Sequence, residues 1–261
     1  MNVRKVVLMA ALAVGFVTHL CVAQEIAVAA ASDLQFAMQD LAARFQKQTG
    51  KAVKPTYGSS GNFFQQIKNG APFDMFFSAN LAYPRRLEDA ELTEPGSYYQ
   101  YATGKIVIWV PNESKLDLKS GMQVLLDPSI KKIAVANPQH APYGQAAVAA
   151  MQKENVYDKV KEKSVLGENI SQTATFIFSG AADVGIVALS LAVSPNMKDK
   201  GRYVEIPAAD YPPIEQACVI LRSSKNKVVA TEFLSFIKTA AVADTFKQYG
   251  FDVANTSHPK P

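Results

Sequence analysis

The sequence predicts an α/β protein of two lobes, each a mainly parallel sheet flanked by helices. Three observations lead there. Short apolar runs alternate with helical periodicity through most of the 261 residues, the pattern of parallel strands covered on both faces. The rhythm breaks at Thr93-Glu94-Pro95-Gly96-Ser97 and then restarts. After a Pro-containing segment at 207–213 a further strand and helix follow, as expected of a chain that crosses to a second lobe and returns.

The elements follow in order. Residues 26–30 form an apolar run and read as the first strand. Leu34, Met38, Leu41 and Phe45 recur at spacings of 4, 3 and 4, one face of a helix that Gly50 stops. A strand at 52–57 and a short helix at 62–69 precede Gly70; a strand at 74–78 precedes a helix at 84–90, with Pro84 suited to its first turn. In the second half, 106–110 is a strand closed by Pro111, and 133–137 is another. A helix at 144–154, a helix at 171–179 and a strand at 184–188 come next. Strands at 203–206 and 217–221 are followed by an amphipathic helix marked by Val229, Phe233, Phe236 and Ile237. Tyr98, Tyr99 and Tyr101 read as packing at the crossover.

Composition narrows the function classes. Apolar residues make up 48% and charged residues 19%, which excludes a largely disordered chain. Lys and Arg number 27 against 23 Asp and Glu, with no basic block, so no nucleic-acid partner is expected. Three His and two Cys are too few for a zinc cluster or a disulfide framework.

The N-terminus reads as a signal peptide over 1–23. Arg4 and Lys5 precede an apolar run from 6 to 17, and Cys21-Val22-Ala23 ends on a small residue. Twelve apolar residues are short for a membrane span. Bulky Leu20 before Cys21 disfavours lipid attachment. Cleavage after Ala23 leaves 238 residues, removes Arg4 and Lys5 for a formal charge of +2, and leaves Cys218 as the one thiol. The expected product is an exported monomer in the periplasm, without disulfide, structural metal or cofactor. Its expected organisation is a first lobe over 24–104, a second over 105–206, and a return to the first over 207–261.

The chemistry gathers where strands hand over to helices. Ala31-Ser32-Asp33 and Gly58-Ser59-Ser60-Gly61 do this in the first half. Pro138-Gln139-His140-Ala141-Pro142-Tyr143-Gly144 and Gly167-Glu168-Asn169-Ile170-Ser171 do it in the second. In a parallel sheet such turns collect at the carboxyl edge. Each helix start offers unpaired N–H groups and a positive dipole end, which together receive an anion. The Ser32 and Ser60 turns contain no Lys or Arg, so a pocket built from them binds an oxyanion through neutral donors. Taken singly, Ser32, Ser60 and Ser171 read as N-caps. A Ser nucleophile reading pairs Ser60 with His140, but the turn is not a G-x-S-x-G elbow.

The same residues resemble a known family, the periplasmic molybdate-binding proteins of ABC transporters, within the type II bacterial solute-binding proteins. The resemblance spans the mature chain. It rests on Ala29-Ala30-Ala31-Ser32 with Ala37-Met38-Gln39-Asp40, the 57–61 turn, residues 69–79, residues 137–144, residues 180–187 and the ending at 246–251. It implies a type II periplasmic binding fold with the ligand in a cleft between lobes, capture of molybdate and usually tungstate without catalysis, and delivery to an ABC permease. Carried over residue by residue, it implies Ser32 with the backbone of Ala31, Ser60, and the backbone N–H groups of Tyr143 and Ile170 as ligand-binding groups. Ala188 stands where some members carry a Tyr that reaches the anion; either the Tyr143 hydroxyl replaces that donor or only its main chain makes contact. Rival readings are sulfate or another tetrahedral oxyanion, with Asp33 able to accept a phosphate proton, and a secreted serine hydrolase. An effector domain of a transcription factor shares the fold, but the signal peptide argues against it.

Overall fold

The computed structural model describes residues 24–253; the signal peptide and its cleavage site, like His258, lie outside them. Ten strands fall into two five-stranded sheets. In chain order the first half comprises β1 (Glu25–Ala31), α1 (Gln35–Thr49), β2 (Ala52–Gly58), α2 (Ser60–Lys68), β3 (Met75–Ser78), α3 (Ala82–Asp89) and β4 (Tyr99–Gly104). The middle comprises β5 (Ile106–Pro111), β6 (Ile133–Ala136), α4 (Pro142–Lys153), α5 (Tyr157–Val160), β7 (Ser164–Gly167), α6 (Ile170–Phe178), β8 (Val184–Ala188), α7 (Leu189–Ala192) and β9 (Gly201–Glu205). The chain ends with β10 (Ile214–Ile220), α8 (Lys227–Ile237) and α9 (Ala240–Gln248).

The sheets have matching topology. The first runs β2-β1-β3-β10-β4 and the second β7-β6-β8-β5-β9. β1 is parallel to β2 and β3, and β10 is antiparallel to both β3 and β4. β6 is parallel to β7 and β8, and β5 is antiparallel to β8 and β9. Each sheet is therefore mixed, with one reversed strand in its fourth place. The reversed strands are those entered from the other lobe: β4 passes through Lys105 into β5, and β9 returns to β10.

Alternation along the first sheet divides the core between its faces. Ile26, Val28, Met75, Phe77 and Cys218 pack with α1, α8 and α9 residues such as Leu41, Phe45 and Phe233. Ala29, Phe76 and Val219 pack on the opposite side with Phe63, Phe64 and Leu87. Each such large side chain contributes about 1.5–3 kcal/mol by burial. The Phe45 and Phe233 rings meet edge to face with centroids 5.1 Å apart. Gly50 ends α1 as expected, with φ 73° and its N–H donating to the Gln46 carbonyl.

Several elements differ from the sequence reading. β4 covers Tyr99 and Tyr101, which read as crossover packing. β7 was not predicted, and the C-terminal helix is two helices, α8 and α9. α2 begins at Ser60 and α4 at Pro142, each two residues earlier than the apolar pattern suggested, because their first turns face the other lobe rather than the core.

Candidate functional site

Ala31, Ser32, Ser60, Tyr143 and Ile170 line one small, tight cavity between the lobes, together with Asp33, Ser59, Ala79, Gly58, Ala141 and Pro142. Ala31 ends β1, and Ser32 begins the short 3-10 turn that leads into α1. Ser60 is the first residue of α2. Tyr143 lies in the first turn of α4 behind Pro142, and Ile170 opens α6. Helix starts of α2, α4 and α6 thus converge on one space from both lobes.

None of the three serines is an N-cap. Those positions belong to Ala31, Ser59 and Asn169, and only Asn169 caps with its side chain, accepting from Ser171 and Gln172 N–H. The serine hydroxyls are held differently. Ser60 Oγ accepts the Ala79 N–H at 2.9 Å, and Ser32 Oγ accepts the Ser171 N–H across the lobes at 3.3 Å. A hydroxyl whose oxygen already accepts still has its proton to give, and neither Ser proton has an acceptor among the described residues. The first-turn N–H groups of Ser60, Tyr143 and Ile170 likewise have no acceptor there. The result is a cluster of neutral donors backed by three helix dipoles, with no Lys, Arg or His on its wall.

The Tyr143 hydroxyl is engaged by Asp33, donating to its Oδ2 at 2.9 Å. Ala188 itself is fully buried at the end of β8, paired with Ile106. Gln216 Nε2 also donates to Asp33 Oδ2, at 2.7 Å, while its Oε1 accepts from Tyr101 at 2.7 Å. That second bond fixes which end of the amide faces the carboxyl. Burial raises the Asp33 pKa to about 6, against lowering by Gln216, Tyr143 and the nearby N–H groups of Asp33 and Leu34. Burial and the Asp33 charge also push the Tyr143 hydroxyl well above the ordinary phenol range, so it stays a donor.

Further bonds tie the lobes together around the cavity. Gly61 N–H donates to the His140 carbonyl at 2.9 Å. His140 Nδ1 lies 3.0 Å from Ser59 Oγ, Asn62 donates to Glu168, and Ser190 Oγ donates to the Asp33 carbonyl at 2.8 Å. The lobes are in contact on both sides of the site, which is a closed arrangement. The pair needed by the hydrolase reading is not formed, since His140 bonds Ser59 while Ser60 is held by Ala79.

Sequence reasoning missed Ala79, Gln216 and Ser190. Gln216 carried one usable signal, a polar residue directly before the apolar run 217–221, where it is fully buried. Among the described residues no group of His, Cys, Asp or Glu is arranged to hold a metal ion, and no helix is long and apolar enough to cross a membrane.

Comparison with known proteins agrees with this architecture. Residues 26–252 match the family described as bacterial extracellular solute-binding protein. A molybdate-binding protein ModA of Azotobacter vinelandii is 35% identical over 244 residues, covering 94% of this chain and 96% of that protein. One from Rhodobacter capsulatus is 34% identical over 229 residues, covering 88% of each chain. The solved structure of the Azotobacter vinelandii periplasmic molybdate-binding protein superposes with a TM-score of 0.83 at 35% identity, covering 88% of this chain and all of that one. The two-lobed fold and the matched span together make this chain a member of the bacterial extracellular solute-binding proteins.

Proposed function

We propose that this protein captures molybdate, and tungstate with it, outside the cytoplasm and delivers the anion to an ABC permease without chemical change. The observation that carries the reading is the cavity wall: two Ser protons and three helix-start N–H groups, all without an acceptor among the described residues and without a cation beside them, converge on one small cavity. Such a wall suits an ion whose four oxygens each need donors, bound by oriented dipoles in place of water. The relatives named as molybdate-binding supply the ion's identity.

Ser32 and Ser60 donate through their side chains; Ala31 contributes backbone at the same turn, and Tyr143 and Ile170 donate through backbone N–H. All of them address oxygens, not molybdenum. The working unit is a monomer, exported by a signal peptide cleaved after Ala23. One lobe comprises 24–104 with the return segment from 207, and the other comprises 105–206.

Calorimetry of ligand-free protein against molybdate, tungstate, sulfate and phosphate tests this. Molybdate and tungstate are expected to bind at least about tenfold more tightly than the other two, a difference of about 1.4 kcal/mol. Sulfate or phosphate matching molybdate would overturn the assignment.

A further inference from the structure

Asp33 is the one carboxyl on the cavity wall, and it is placed unlike a structural acid. It is 1% exposed. Among the described residues no Lys, Arg or His bonds to it. The polar groups facing it are Tyr143 from α4, Gln216 from β10, the nearby backbone N–H groups of Asp33 and Leu34, and more distantly Tyr101 from β4. Tyr143 and Gln216 both donate to Oδ2, at 2.9 and 2.7 Å, and together they occupy its two lone pairs. Oδ1 is buried and has no hydrogen-bond partner. A proton on this carboxyl therefore sits on Oδ1, on the residue next to Ser32.

An ionised Asp33 would face a dianion in a site that holds no compensating cation. A neutral Asp33 removes that repulsion from a wall otherwise made of neutral donors. We propose that the protein binds its oxyanion with Asp33 in the neutral acid form, so that each anion captured above the carboxyl's own titration brings one proton from solvent onto Asp33. No bond within the anion changes; the solvent proton becomes the Oδ1–H. The inference rests on the oxyanion reading given above, and it assigns Asp33 as a residue that sets which charge state of ligand and site is accepted.

Burial already raises this carboxyl to about 6 without ligand, and a nearby dianion raises it further. Linkage fixes the sign: the loaded state holds the proton more tightly, so affinity falls as pH rises above about 6. The expected loss is about tenfold per pH unit, for one proton per anion.

The test is molybdate titration of the full chain in buffers of differing ionisation enthalpy, from about pH 6 to 8.5, with Asp33→Asn alongside. Wild type is expected to take up about one proton per molybdate near pH 7.5, falling as pH drops towards about 6. Asn keeps an acceptor for Tyr143 and Gln216 and cannot ionise. Asp33→Asn is expected to show no proton uptake, a flat pH profile and tighter binding than wild type at the alkaline end. Molybdate binding by wild type with no proton uptake across the range overturns the inference while leaving the oxyanion reading intact, whatever the variant does. Preference for hydrogenphosphate at alkaline pH without net proton uptake also overturns it, because an ionised Asp33 would then be accepting the ligand's own proton. Absence of molybdate binding at any pH removes the oxyanion reading and the inference with it.

Discussion

Replacing Ser60 with alanine is expected to weaken molybdate binding about ten- to a hundredfold. The lost interaction is a hydrogen bond to a charged acceptor, worth about 1.5–3 kcal/mol. The same change strands the buried Ala79 N–H, which Ser60 Oγ now accepts at 2.9 Å, so thermal stability should fall as well, by about 1 kcal/mol or more. Ser32→Ala separates the two effects. Ser171 N–H, which bonds Ser32 Oγ at 3.3 Å, is also held by Asn169 Oδ1 at 3.0 Å. Ser32→Ala should therefore lose affinity comparably and lose little stability. Calorimetry and melting of both variants decide the matter. Wild-type affinity in both would defeat the donor assignment.

Gly61→Ala should act on closure rather than on contact with the anion. A Cβ at Gly61 would stand 2.7 Å from the His140 carbonyl oxygen and 2.9 Å from its Cα. Both are backbone atoms of the opposite lobe, so no side chain can swing aside. The Gly61 N–H bond to that carbonyl would be forced open as well. Within α2 alone, alanine favours the helix over glycine by about 1 kcal/mol. The expected outcome is ligand-free protein as stable as wild type or more so, with molybdate affinity lowered by about tenfold or more. Unchanged affinity would show that the lobes close without this contact.

Much of the candidate site was legible because it lies at strand-to-helix junctions, and those announce themselves as a polar break between apolar runs, with glycine in three of the four. Ser32 and Ser60 stand out that way, as do the turns that hold Tyr143 and Ile170, although those two residues themselves came from the family resemblance. What hydroxyls and amides do there was not legible, since it depends on partners far along the chain. Asp33 meets Gln216 across 183 residues, and Ser32 meets Ser171 across 139. β4 was missed because it alternates partly polar residues beside a linker. β7 was missed because it has only four residues, Ser164–Gly167, at a sheet edge, with two apolar side chains that are not buried. The two-residue error at α2 and α4 has one cause: the first turn of each helix faces the opposite lobe, as at Gly61 against His140, and hydrophobic periodicity does not report it.

The placement of β10 bears on how the chain acquires its shape. The second sheet uses only strands between Ile106 and Glu205, so it can be completed as soon as that stretch is available. The first sheet cannot. β3 and β4 are not neighbours; β10 lies between them, bonded to both. Until Ile214–Ile220 arrives, β1, β2 and β3 have no far edge and β4 has no partner in its sheet. One half of the molecule thus waits for nearly the last of its chain, through contacts of large sequence separation that form slowly. For a polypeptide that crosses a membrane before it works, this ordering delays the final compaction until the C-terminal quarter has emerged. Pulsed hydrogen exchange during refolding should find β5–β9 amides protected before those of β1–β3, and simultaneous protection would remove β10 from that role.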